Sequence, residues 1–309
     1  MKELIAELSK RYNIKRKDLI EKDIIIQKIL FDFSKNDFFL KNFAFKGGTC
    51  LIKCYLGYFR FSEDIDLTWR NQTIFKDISQ KKIRKIISEL KDKIGEIIVI
   101  MAKNRGLDFK MEKDDKDFVE FGGGNKFVTF KIWYNSEILK KRSFIKIQIN
   151  FVEHIAFDIS KKDLNCIVSG EESKELKLLY GEDYSQYVKN ISLYTYDVKE
   201  ILCEKVRAIL TRRGLKARDF LDVLFITKKY GISVDTFKDE IIKKTNYMLN
   251  MYKKYISNFN DKKEILSTGN YFKWGDEKEL LLVEIDDNEF EAFLKEFTVI
   301  LQDICKKIH

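Results

Sequence analysis

The chain has 309 residues, 45% of them hydrophobic and 14% aromatic, and its 58 Lys and Arg against 49 Asp and Glu give a formal net charge of +9. This length fits two modest domains, and so much apolar and aromatic side chain excludes a disordered polypeptide. No run approaches the roughly 18 apolar residues of a membrane span, and residues 1–10 alternate charged with apolar side chains, so no signal sequence and no membrane association are expected and the chain is expected in the cytoplasm.

Residues 1–34 carry apolar side chains at helical spacing, among them Leu19, Ile24, Ile25, Ile29 and Phe33, which predicts two helices broken near Asn13. Residues 44–48 form a short apolar run ending in Gly47-Gly48; Thr49 and an apolar-periodic stretch to Tyr58 follow, so a strand or turn leads into a helix. Residues 61–69 alternate polar and apolar, the period of a half-buried strand. A charged amphipathic helix fits 74–94, and strands fit 96–101, 127–134 and 144–151.

Gly122-Gly123-Gly124-Asn125 lies between two strand candidates and lacks the Lys-Ser/Thr of a phosphate loop, so it reads as a hairpin turn. From residue 197 the pattern becomes helical, over 197–213, 217–230, 234–255 and 287–307. Ser, Lys, Glu and Gly accumulate over 160–190, which places a change of domain there. The expected fold class is α+β: a small mixed-sheet core with flanking helices over 1–170, followed by a mainly helical C-terminal domain over 171–309.

The five cysteines, Cys50, Cys54, Cys166, Cys203 and Cys305, lack zinc-ribbon or disulfide-framework spacing and read as reduced, small buried side chains. The two histidines, His154 and His309, have no Ser or Cys elbow to form a dyad with; His154 reads as structural. The excess of cations draws polyanions such as RNA or nucleoside triphosphates. The preponderance of Lys over Arg and the absence of Pro point to a coding bias, so part of this charge is a solvated face.

Chemistry concentrates at Asp64-Ile65-Asp66. On a strand both carboxylates share one face, about 7 Å apart along the chain, while Ile65 and Leu67 point into the core. Two acids on one face suit Mg²⁺ or Mn²⁺, which keeps water and substrate phosphate oxygens in its other positions. Upstream, Gly47-Gly48-Thr49 opens a helix where missing Cβ atoms let backbone N–H groups approach phosphate; taken alone, it is equally a tight turn with a helix cap.

Phe45-Lys46-Gly47-Gly48-Thr49, followed by Arg60-Phe61-Ser62-Glu63-Asp64-Ile65-Asp66-Leu67, resembles the first motif of the AbiEii/AbiGii toxin family of nucleotidyltransferases, a branch of the DNA polymerase β-like superfamily. Glu204-Lys205, Ala208, Arg212 and Arg218-Asp219-Phe220-Leu221-Asp222 resemble its third and fourth motifs, and Glu21-Lys22-Asp23 its amino-terminal stretch, so the resemblance spans residues 18 to about 230. One position departs from the pattern: on strand 145–150, where members place a third carboxylate, stands Gln148. Either Asp64 and Asp66 suffice, Glu153 substitutes, or the strand alignment is shifted.

The resemblance implies a nucleotidyltransferase core in the first domain, with Asp64 and Asp66 as metal-binding catalytic acids. It implies phosphate and nucleotide contacts from Lys46, Gly47, Gly48, Thr49, Ser62 and Arg212, and places Lys205 and Asp219 in the active site, the first on the triphosphate, the second positioning the acceptor or acting as base. Lys205 and Arg212 are seven apart, two turns along one helix face, which suits a cationic clamp; Asp219 and Asp222, three apart, share a face. A solvated helix surface carrying an Arg–Asp pair accounts for the same spacing.

The activity implied is transfer of a nucleotide from a nucleoside triphosphate to RNA, with tRNA as acceptor, by a toxin paired with an antitoxin in a toxin–antitoxin or phage-defence system. A small-molecule acceptor is the nearest enzymatic alternative, and a nucleotide- or RNA-binding regulator whose turnover is lost through Gln148 is the alternative of another class. Tyr247, Tyr252, Tyr255, Phe259, Tyr271, Phe272 and Trp274 either stack unpaired bases or form core.

Overall fold

The computed structural model of the chain describes residues 1–168, 174–268, 272 and 274–308. It divides into two compact units, one of residues 1–153 and 159–195, the other of 154–158 and 196–309.

The first unit begins with helices α1 (Lys2–Arg11), α2 (Lys17–Lys35) and α3 (Asp37–Asn42), with Asn13 in the left-handed region at the first break. Strand β1 (Phe43–Lys46) runs into α4 (Gly47–Cys50), which continues as a π-helical stretch (Leu51–Leu56). Strand β2 (Asp64–Trp69), helix α5 (Gln80–Asn104), and strands β3 (Val119–Gly122), β4 (Phe127–Asn135), β5 (Arg142–Asn150) and β6 (Ser160–Leu164) follow, then α6 (Lys174–Tyr187) and β7 (Ile191–Thr195). The strands form one mixed sheet in the order β3-β4-β5-β2-β1-β7-β6, with β2–β5 and β1–β7 parallel and the other neighbours antiparallel.

The sheet has two faces of opposite character. Ile65 and Leu67 on β2, Ile145, Ile147 and Ile149 on β5, and Val128, Phe130 and Ile132 on β4 are all buried and lie on one side. The alternate positions, which register places on the other side, are Asp64, Asp66 and Thr68, then Lys146, Gln148 and Asn150, then Thr129 and Lys131. Since side chains alternate with period two, the apolar set locks the polar set to the opposite face.

Several elements differ from expectation. Residues 96–101, read as a strand from the apolar run Ile97–Met101, are the end of α5: Ile94, Ile98 and Met101 are buried while Ile100 is 62% exposed, a helical pattern that a run of β-branched residues masks. The helix expected from residue 74 begins at Gln80, where Ser79 Oγ accepts from Lys82 N. Strands β3, β6 and β7 and helix α3 are too short to stand out by periodicity. The 160–190 segment, read as a change of domain at 170/171, carries β6 and α6, and the first unit runs on to Thr195 because β7, just beyond it, pairs with β1. Gly122–Asn125 does form the turn of the β3–β4 hairpin.

The second unit is helical: α7 (Val198–Thr211), α8 (Ala217–Tyr230), α9 (Lys238–Met251), α10 (Lys253–Ser267) and α11 (Asp287–Lys307). The single helix expected over 234–255 is a short 3₁₀ turn, then α9, broken at Tyr252, whose extended backbone (φ −138°, ψ 102°) starts α10. Residues 154–158 belong here because Glu200 Oε2 accepts from Ala156 N and Phe157 N, both at 2.8 Å, and Lys244 Nζ donates to the His154 carbonyl at 2.5 Å. Phe259 is buried core, whereas Phe272 and Trp274 are half-buried, the first meeting Phe220 and Phe290 edge-on and the second packing on Phe290; Tyr271 and His309 lie outside the described residues. All five cysteines are free thiols.

Ile147 is 0% exposed on β5, between β4 and β2. Ile147→Ala is expected to lower stability in urea unfolding by about 2–5 kcal/mol, the transfer loss plus a cavity; a loss below about 1 kcal/mol would contradict the tight packing of that face.

Candidate active site

Where β1 ends, the chain reverses through Gly47 at φ +74°, a conformation costly for any residue with a Cβ. A Cβ at Gly47 would lie 2.1 Å from Asp66 Oδ2 and 2.9 Å from Asp66 Cβ, so the aspartate side chain occupies the space a larger residue would need. At Gly48 a Cβ would stand 2.8 Å from Arg60 Nη2 and 3.0 Å from Ser62 Oγ. Thr49 Oγ1 donates to the Asp64 carbonyl and lies 2.9 Å from Ser62 Oγ, tying the first turn of α4 to the start of β2.

The antiparallel β1–β2 pair puts Lys46 opposite Asp66; the parallel β2–β5 pair puts Gln148 opposite Asp66 and Lys146 opposite Asp64. Asp64 and Asp66 are half-buried and share a face, while Ile65 and Leu67 are buried on the other. Gln148 therefore stands beside Asp66 in register. Glu153 is tied to side chains of the same region: its Oε1 accepts from Lys46 Nζ and Asn150 Nδ2, both at 2.5 Å, and its Oε2 from Thr68 Oγ1 at 2.8 Å. Lys46, read from sequence as a phosphate contact, is buried in this ion pair. Among the described residues there is no cluster of three or more His, Cys, Asp or Glu arranged to hold a metal ion.

Arg60 entered the sequence reading only as part of a motif. It is 1% exposed, its Nη1 donates to the Phe61 carbonyl at 2.8 Å, and its guanidinium lies against Gly48. An arginine so deeply buried is unusual without a structural or functional demand, but its burial has no periodic signal in the sequence.

The first unit thus brings together Lys46, Gly47, Gly48, Thr49, Ser62, Asp64 and Asp66. The second brings together Lys205, Arg212 and Asp219, with Asp222. Lys205 Nζ, on α7, pairs with Asp219 Oδ1 at 2.8 Å and Asp222 Oδ2 at 2.6 Å, both on α8, and Arg212 Nη1 reaches Asp219 Oδ2 at 3.1 Å. Lys205, Asp219 and Asp222 are 9%, 2% and 0% exposed. Arg212 has left the helix (φ −79°, ψ 150°), so it meets Lys205 at a shared carboxylate and not along one helix face. Burial raises the Asp219 carboxyl, and the charges of Lys205 and Arg212 more than reverse this, holding its pKa well below the usual carboxylate value. His154 keeps a structural place, its ring tilted against Tyr247 at 6.0 Å.

Two outcomes follow from this geometry. Gly47→Ala is expected to destabilise the protein by about 1–3 kcal/mol in denaturant unfolding, from backbone strain and the displaced Asp66; unchanged stability would contradict the close approach. Asp219, with its depressed pKa, contributes stability that is full above the unfolded carboxylate pKa of about 3.9 and is lost as pH falls below it. Asp219→Asn is therefore expected to flatten the fall of stability between about pH 5 and pH 2; an acid limb as steep as that of the unaltered protein would contradict the buried pairing.

No curated protein matches the sequence significantly. The chain is similar to that in the crystal structure of JHP933 from Helicobacter pylori, at 15% identity and a TM-score of 0.44, over 96% of this chain and 94% of that one. A second crystal structure from H. pylori, described as a candidate nucleotidyltransferase, is 14% identical with a TM-score of 0.41 over 94% of this chain and 98% of its own. The model of a family described as nucleotidyl transferase AbiEii toxin, type IV TA system, matches residues 28–304. That match takes in both units, and the chain belongs to the AbiEii family of nucleotidyltransferase toxins.

Proposed function

We propose that the protein transfers a nucleotide from a nucleoside triphosphate to RNA, with tRNA as the acceptor, and that its activity is restrained by a cognate antitoxin. The observation that carries this reading is the pair Asp64 and Asp66 on one strand face, with the Asp66 carboxylate seated against Gly47 at the turn that opens α4. The acceptor hydroxyl attacks the α-phosphorus and gives up its proton to water; a new P–O bond forms, the bond to the β-phosphate bridging oxygen breaks, and pyrophosphate leaves with the electron pair. Backbone N–H groups at Gly47 and Gly48, at the opening of α4, hold phosphate oxygens, with Thr49 and Ser62 fixing the turn. Lys46, held by Glu153, places positive charge beside Asp66.

Two carboxylates on one face, beside a turn stripped of Cβ atoms, fit a Mg²⁺ or Mn²⁺ ion that takes its remaining ligands from water and phosphate. Asp64 and Asp66 would hold it, and when bound it supplies neutralisation of the charge that develops on the phosphates. On the resemblance of their motifs, Lys205, Arg212 and Asp219 are assigned to the same reaction. The link between Lys205 and the two buried acids equally supports a part for them in pinning α7 to α8.

Gln148 favours a second reading. An amide stands in register with Asp66, and a chain that binds triphosphate without releasing pyrophosphate would act as a regulator. Kinetics of the acid variants decide between the two. Asp64→Asn and Asp66→Asn are expected to lower label transfer from nucleoside triphosphate to tRNA by at least about 100-fold, a loss of several kcal/mol of charge stabilisation, with an unchanged circular dichroism spectrum. Transfer equal to that of the unaltered protein in both variants would sink the assignment.

A further inference from the structure

The connection between α7 and α8 reads Thr211-Arg212-Arg213-Gly214-Leu215-Lys216-Ala217-Arg218, four cations in eight residues. Its two ends are buried: Thr211 donates through Oγ1 to the Arg207 carbonyl at 2.9 Å, and Ala217 opens α8. Between them Arg212, Arg213 and Lys216 are exposed, and Arg218, in the first turn of α8, is half-buried. The loop is held from α10. Asn258 Nδ2 donates to the Thr211 carbonyl at 2.9 Å and Lys262 Nζ to the Gly214 carbonyl at 2.7 Å.

Lys262 is 2% exposed, and burial pushes its ammonium pKa down, opposed by Asp261, so a largely dehydrated cation is spent on holding loop backbone. With carbonyls gripped from beneath and Arg212 bonded to Asp219, the loop presents its cations outward on a fixed frame. That cuts the conformational entropy lost when they engage a ligand. Leu215 is the one large apolar residue among them and is half-buried, which favours a phosphate-rich ligand over a lipid surface that would need inserted apolar side chains.

We infer that the α7–α8 loop is an RNA-backbone anchor, with Arg213 and Lys216 contacting phosphates of the acceptor strand. The inference rests on RNA as the acceptor proposed above, and it adds where that strand is gripped. Contacts of this kind position a nucleic acid without reading its sequence.

The test is binding of tRNA to the full chain without nucleotide, followed across a salt series by fluorescence anisotropy. Both residues are exposed, so the double variant Arg213→Gln with Lys216→Gln is expected to keep the circular dichroism spectrum of the folded chain while raising Kd about tenfold and flattening the slope of log K against log salt by about 1.4–1.8, the loss of two phosphate contacts. Lys81→Gln with Lys82→Gln, which removes the same charge from exposed positions on α5, is the comparison and is expected to leave the slope nearly intact. Equal slopes in the loop variant and the unaltered chain would overturn the anchor and leave RNA as acceptor standing. Equal flattening in both double variants would reduce the effect to bulk charge and overturn it as well. No tRNA binding by the unaltered chain at low salt, with or without binding to anionic phospholipid vesicles, would overturn both the anchor and the RNA reading.

Discussion

The approach of the Asp66 carboxylate to the Cα of Gly47 is the constraint on which the candidate site depends, because it joins three features that sequence separates. It requires glycine at a positive φ, it requires β1 and β2 to pair so that Lys46 stands opposite Asp66, and it requires Asp66 to face away from the core. A slip of one residue in that register would turn Asp64 and Asp66 inward and Ile65 and Leu67 outward, at the cost of both charge burial and apolar exposure. The sheet's apolar side therefore specifies its chemical side. Gln148 and Lys146 on β5 take their places beside the acids through the same parallel register.

Buried charge is used to hold these elements. In the π-helical stretch after α4, Gly57 N donates to the Ile52 carbonyl five residues back, and Lys53, 1% exposed, pairs with Asp23 on α2 at 2.8 Å and donates to Gln27 and Tyr58. Tyr58 and Tyr187 both donate to Asp23, and burial, with the Asp23 charge adding to it, pushes both phenol pKa values up, so they remain donors. Such clusters are poor sources of net stability, since desolvation offsets most of the attraction, but leaving one partner alone is severe, about 3–5 kcal/mol. Here the cluster fastens the helix that begins at Gly47 to α2, and so fixes the direction of the amides at the turn. Lys205 with Asp219 and Asp222 does the same for α7 and α8 in the second unit.

Much of this was legible in the sequence where a strong period or a special residue marked it. The alternation over 61–69 gave the strand and its faces, Gly47-Gly48 the turn, and the amphipathic stretches four of the second unit's helices, with α8 and α11 at their observed limits. What failed were runs with two readings. Residues 97–100 are β-branched yet helical, because the buried positions Ile94, Ile98 and Met101 continue the stripe begun at Ile83 and Ile87. Strand β7 is five residues long and exists through its pairing with β1 and β6, a long-range contact with no local trace. The partners of charged residues were likewise hidden: spacing put Lys205 and Arg212 on one face, but not that both would close on Asp219, nor that Glu153 would take Lys46.

Whether the acid-bearing face of β2 performs transfer or only binds nucleotide is decided by turnover. The most direct measurement is release of pyrophosphate by the unaltered protein, incubated with each of the four nucleoside triphosphates, Mg²⁺ and total tRNA, alongside incorporation of label into the RNA. The expectation is that pyrophosphate and labelled RNA appear in equal amounts with at least one triphosphate and that chelating the metal abolishes both. Saturable triphosphate binding with neither pyrophosphate nor labelled RNA, under Mg²⁺ or Mn²⁺, would contradict it.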